Sequence, residues 1–158
     1  MAIECAQGCV DVEWYISNGG AWFVGLAADM QRAIAEVFSK LPLAIEVETR
    51  AGRVGIAHAE VMGDWDAFTA SVANLDGPAA ISALWSRKRF QSRDTTPVRG
   101  VAAVYVGHQM VSPTGRLGNT LYIDAGAGIG RTPRLLIMDP RITDPASRGV
   151  PDVMPKKI

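Results

Sequence analysis

The chain has 158 residues, 48% hydrophobic and 20% charged, with sixteen basic side chains balanced by sixteen acidic ones. That length buries one core, the composition is too apolar for global disorder, and the zero net charge argues against a nucleic-acid or anionic-membrane partner. No apolar run reaches membrane-spanning length and no basic segment precedes an apolar stretch after Met1, so no membrane span and no signal peptide are expected.

Ile3, Val10 and Trp14 share one helical face, which predicts a helix over residues 2–17. Cys5 and Cys9 lie one turn apart on it without zinc-type spacing, as reduced thiols of a cytoplasmic protein would. Asn18-Gly19-Gly20 stops this helix, and its backbone amides are a weak candidate for cradling an anion. Met30, Ala33, Ile34, Val37, Phe38 and Leu41 keep the i, i+3, i+4 rhythm of a core-packing helix up to Pro42. The period then changes: Ile45 and Val47 alternate with Glu46 and Glu48, and Val54 to Ala57 returns as the partner strand of a hairpin ending at His58.

Asp64 is placed to cap a helix carrying Trp65, Phe68, Val72 and Leu75, and Asp76-Gly77-Pro78 breaks it and starts the next, with Ile81, Leu84 and Trp85. That helix leads into Ser86-Arg87-Lys88-Arg89, a solvated basic run in which Arg87 is also placed to bind a phosphate bidentately. Residues 91–99 are polar, contain Pro97, and are expected to form a surface connection. Val101 to Val106 have the composition of a buried strand, ended by Gly107 just before His108. Leu117 to Ile123 is expected as one further strand ending in Asp124, and Leu135 to Met138 as the last. The glycines at 126, 128 and 130 follow a strand, but Arg131-Thr132-Pro133 opposes an opening helix, so a dinucleotide fingerprint is discarded. Pro140, Pro145, Pro151 and Pro155 mark residues 139–158 as a loose tail. Helices first and strands later predict an α/β or α+β sheet protein.

The only two histidines, His58 and His108, both stand where an apolar strand meets a loop, and neutral imidazole is the commonest metal ligand. Glu60, Asp64 and Asp124 are carboxylates that could add a ligand. Asn18-Gly-Gly-Ala-Trp-Phe23, His58-Ala-Glu60, Leu84-Trp-Ser-Arg87, Val106-Gly-His108 and the run Gly118-Asn-Thr-Leu-Tyr-Ile-Asp-Ala-Gly-Ala127 follow one another in that order. In this the chain resembles the later part of the bacterial and bacteriophage serine/threonine phosphoprotein phosphatases, the lambda-phosphatase-like branch of the calcineurin-like metallophosphoesterases. The resemblance implies that residues 1–138 are the C-terminal portion of such a domain, an incomplete metallophosphoesterase β-sandwich with flanking helices and its N-terminal strands missing. It also implies that His58 and His108 are late histidine ligands of a two-metal centre, with manganese, or iron or zinc, as the metal. Arg87 matches the arginine that holds the substrate phosphate, and the substrate class is a phosphoprotein or a small phosphomonoester.

The departures are as informative. The family's Asp-x-His, Gly-Asp-x-x-Asp-Arg and Gly-Asn-His-Asp/Glu motifs do not occur; Gln109 and Ala125 replace threonines of the pattern. No catalytic acid or base is therefore assigned, metal binding is expected to be weak or absent, and the chain alone is expected to be inactive. The alternatives are a non-catalytic interaction domain, self-associating or docked on a partner, and a half-enzyme completed by another chain.

Overall fold

The alternation over residues 44–57 closes into an antiparallel hairpin, β1 (Ala44–Thr49) on β2 (Gly52–Ala57), with Ile45 opposite Ile56 and Val47 opposite Val54. A computed structural model describes residues 1–72, 77–111 and 114–126. The positions named above at Leu75 and Asp76, the glycine-rich turn past Gly126, the strand at 135–138 and the tail at 139–158 lie outside the described residues. The chain divides into two units, Met1–Pro42 and Leu43–Ile158.

In the first unit the single helix expected over residues 2–17 is two short ones, α1 (Ala2–Ala6) and α2 (Val12–Tyr15). Gly8 breaks the run with a positive φ of 72°, and Asp11 recaps the chain by accepting a hydrogen bond from the Trp14 amide. The chain kinks at Asn18 and Gly19, whose φ is 90°, before α3 (Ala21–Val24). Gly20 lies so close under the Tyr15 ring that a Cβ there would collide with it. α4 (Ala28–Ser39) forms where the periodicity predicts, and α1 packs against it. The apolar stripe of α4 is not wholly inside: Met30, Val37, Phe38 and the following Leu41 are exposed.

The second unit holds one five-stranded sheet in the order β1-β2-β3-β5-β4, with β3 (Ala103–Met110), β4 (Gly115–Leu117) and β5 (Thr120–Asp124). β2, β3 and β5 run parallel, and the outer pairs are antiparallel. The strand expected over 117–123 is thus a hairpin, because Gly118 takes φ 60° and sits where a Cβ would run into the Thr95 carbonyl. Between β2 and β3 the chain crosses over through α5 (Trp65–Ser71), α6 (Pro78–Trp85) and α7 (Lys88–Ser92). Asp64 caps α5 by accepting from the Asp66 and Ala67 amides, and Pro78 opens α6. One face of the sheet, with Ala57, Val104, Val106 and Tyr122, forms the main core with Trp65, Phe68, Val72 and Ala83. The opposite face carries Val54, Ala103, Tyr105 and Leu121, with Ile123 packed beside them.

Two expectations fail between α6 and β3. The polar segment opens with a helix, α7, and Arg89 of the basic run is 1% exposed rather than solvated. Its guanidinium donates to the Asp94 and Thr96 carbonyls, which pins the loop that follows. Among the described residues no helix is long and apolar enough to cross a membrane.

Candidate functional site

The parallel pairing of β2 and β3 sets Ala57 beside Val106, so His58, just past the end of β2, stands beside Gly107 and His108 of β3. The Gly107 amide donates to the His58 carbonyl at 2.9 Å and ties the exit from β2 to β3. The imidazole centroids of His58 and His108 are 5.1 Å apart with the rings tilted by 57°. Gly107 does not end β3 as its type suggests; the strand runs on through His108 to Met110.

That extension is irregular in a useful way. Between Val106 and Met110, β3 advances four residues while β5 advances two, from Tyr122 to Asp124. The excess is taken up as a bulge in which His108 adopts a left-handed backbone, φ 58°, uncommon for a residue with a side chain. A bulge re-aims the side chain it carries, and here it brings His108 toward His58, Trp85 and Arg87. The Trp85 ring meets His108 edge-on with centroids 5.9 Å apart, and Arg87 Nε donates to His108 Nε2 at 3.3 Å.

Both imidazoles are held toward the neutral form. Burial lowers the pKa of His58, with the nearby Asp124 charge opposing. Burial also lowers His108, followed by repulsion from Arg87 and His58, while a hydrogen bond to the Trp85 backbone and the Asp124 charge act the other way. A neutral ring keeps a lone pair, and at His108 that lone pair accepts from Arg87 Nε. The Arg87 guanidinium is exposed beside them, the arrangement of donors that suits an oxyanion.

The three candidate carboxylates are used differently. Asp124 acts electrostatically on both histidines and accepts from the Gly126 amide. Asp64 is taken by the α5 cap and an ion pair with Arg99 at 3.8 Å. Glu60 is 1% exposed, with both oxygens engaged by protein: Ser86 Oγ donates to one at 2.6 Å and the Phe90 amide to the other at 3.3 Å. Glu60, one of three carboxylates that could add a ligand by sequence, is thus occupied, and Trp85 joins the site without a sequence signal for it. The signal available for Glu60 was Ser86, a hydroxyl next to Arg87.

Two imidazoles are half of the donor set a tightly held divalent ion requires, and no group of three or more His, Cys, Asp or Glu side chains comes together among the described residues. The described residues by themselves therefore do not fit a complete metal centre. Both cysteines are free, and the Asn18-Gly19-Gly20 amides shape a turn in which Asn18 Nδ2 donates to the Trp14 carbonyl. A cleft of about 420 Å³ borders Glu60 elsewhere, lined by Met62, Asp64, Phe68, Ser82 and Arg99 among others, and holds neither histidine nor Arg87.

No protein-family model matches the chain. It is similar to serine/threonine-protein phosphatase 2 of Salmonella typhimurium, 32% identical over 120 residues, a match covering 72% of this chain and 52% of that protein. The chain therefore spans about half the length of the curated relative it matches, and it is related to a serine/threonine protein phosphatase.

Proposed function

We propose that the chain carries the phosphate-binding and two-imidazole part of a phosphomonoester hydrolase of the lambda-phosphatase-like branch, acting on phosphoserine or phosphothreonine. The observation that supports this reading is the meeting of His58, His108 and Arg87 at one end of the sheet in a chain with a phosphatase relative. In that role Arg87 binds two phosphoryl oxygens through its planar fork, and the histidines stay neutral through burial. The enzymes it resembles use two divalent metals, manganese or in some members iron or zinc, which polarise the phosphoryl group and supply the attacking oxygen. His58 and His108 would hold such an ion weakly at best, and the chain alone is proposed to be inactive.

The test is hydrolysis of an aryl phosphate by the purified chain with manganese, read against a protein-free blank. No turnover above the blank is expected, since electrostatic and metal terms carry most of the barrier reduction in phosphoryl transfer. Turnover that His108→Ala abolishes would overturn the inactivity. Binding of inorganic phosphate that Arg87→Ala leaves unchanged would overturn the role of Arg87.

A second reading, a non-catalytic interaction domain, is favoured by the exposed apolar side chains of Ile45, Val47 and Ile56 on one side of the β1–β2 hairpin.

A further inference from the structure

Arg87 stands on the two-residue link between α6, which ends at Trp85, and α7, which starts at Lys88. An exposed arginine on such a link has many rotamers and no reason to stay beside His108 unless its backbone is fixed on both sides. On the near side Ser86 Oγ donates to Glu60 Oε2 at 2.6 Å and accepts from the Lys88 amide at 3.3 Å. On the far side the Phe90 amide donates to Glu60 Oε1 at 3.3 Å. One buried carboxylate therefore grips residues 86 and 90 and, through Ser86, the amide of residue 88. Glu60 is itself fixed: the amide of the preceding Ala59 donates to the Ala83 carbonyl of α6 at 2.7 Å, and His58 precedes it by two residues. A carboxylate removed from water is retained when hydrogen bonds replace its hydration, and here both donors, Ser86 Oγ and the Phe90 amide, belong to the segment that carries Arg87.

We propose that Glu60 is a positioning residue for Arg87, coupling the strand end that bears His58 to the link that presents the guanidinium to His108 and to a phosphate oxyanion. The phosphate half of this inference rests on the reading of Arg87 given above; the positional half does not. Glu60 touches neither imidazole nor substrate in this role and acts only through Ser86 and the start of α7.

The test uses the ¹⁵N-labelled full chain and two readouts: solvent exchange of the Arg87 Nε proton, assigned by its response to His108→Ala, and affinity for inorganic phosphate. Ser86→Ala and Glu60→Gln are compared with Ser86→Thr, which keeps the hydroxyl, and the Trp65 indole N–H, bonded to Glu46 at 2.6 Å, reports that each variant is folded. In Ser86→Ala and Glu60→Gln the Arg87 proton is expected to exchange about tenfold faster and phosphate to bind about tenfold more weakly, the size of effect seen when the partners that orient a ligating side chain are removed. Ser86→Thr is expected to behave as the parent. A folded Ser86→Ala chain whose Arg87 exchange matches the parent overturns the proposal, and Ser86→Ala decides the matter if Glu60→Gln does not fold. Should the parent and Arg87→Ala bind phosphate equally, the phosphate reading of Arg87 fails, while the exchange comparison still decides whether Glu60 positions it.

Discussion

Tyr122 on β5 is 1% exposed, and its hydroxyl has no hydrogen-bond partner among the described residues. Burial, then the Glu60 charge, raises its pKa far above the ordinary phenol range, with Arg89 opposing. A folded-state pKa above the unfolded one means that the native state keeps its proton where the unfolded chain has lost it. Stability is therefore complete below about pH 10 and falls as pH rises beyond it. Tyr122→Phe removes an unsatisfied hydroxyl and leaves the ring on Phe90, so at pH 7 the variant is expected within about 1 kcal/mol of the parent or more stable. Its alkaline decline should be shallower, and urea midpoints from pH 7 to 11 check both statements. At this scale the sequence was partly legible. Two histidines at the ends of apolar runs can be found by inspection, whereas Arg89 looked like its neighbours Arg87 and Lys88 because only the turn of α7 separates the one that points inward. Glu60 was left open beside Asp64 and Asp124, because spacing alone does not show that Ser86 and the Phe90 amide take both of its oxygens.

Among elements, α5 shows how a sheet residue selects a helix position. The Trp65 ring lies directly over Gly55 of β2, where a Cβ would collide with it, and the indole N–H is accepted by Glu46 of β1. Gly55→Ala must push the largest fully buried side chain off the sheet, so a loss of about 1–3 kcal/mol is expected from overpacking, read as a lower urea midpoint at unchanged slope. The helix is also held from outside, Arg53 donating to both Asp66 oxygens at 2.6 and 3.1 Å. That hydrogen bond lowers the Asp66 pKa from 3.8, so its contribution is present above that value and is lost as pH falls through the lowered one. The pair is exposed, so Asp66→Asn should change stability at pH 7 only slightly and flatten its acid decline below pH 4, which denaturant titrations at a series of pH values would reveal. β1, β2, α4 and α5 were legible because each keeps one period between clear stop signals. β3 was cut short since glycine usually ends a strand, and here Gly107 instead sits inside the strand and bonds the His58 carbonyl. The β4–β5 hairpin was hidden because Gly118-Asn119 interrupts an otherwise apolar run, and Asn119 fixes that turn through long-range bonds to the backbone of Val98 and Val101.

For the whole molecule the β1–β2 hairpin is the exposed margin. β1 is an edge strand of the sheet, and alternation turns Ile45 and Val47 to the side shared with Ile56 while Glu46 turns toward Trp65. Those three apolar side chains are 49%, 43% and 37% exposed. An accessible edge whose one side, Ile45, Val47 and Ile56, is apolar offers both backbone groups and apolar area to another chain. At about 25 cal/mol per Å², covering roughly 300 Å² across two copies returns about 7 kcal/mol. Association itself costs about 4–15 kcal/mol, so the expected outcome is weak, concentration-dependent self-association and not a tight dimer. Sedimentation at increasing concentration should show a rising average mass, and Val47→Lys, which places a charge in the middle of the patch without touching the Trp65 side, should return it to that of one chain. If the parent instead sediments as a concentration-independent monomer that melts cooperatively, the exposed hairpin face is tolerated by the isolated chain, and the interaction-domain reading loses the observation that favours it.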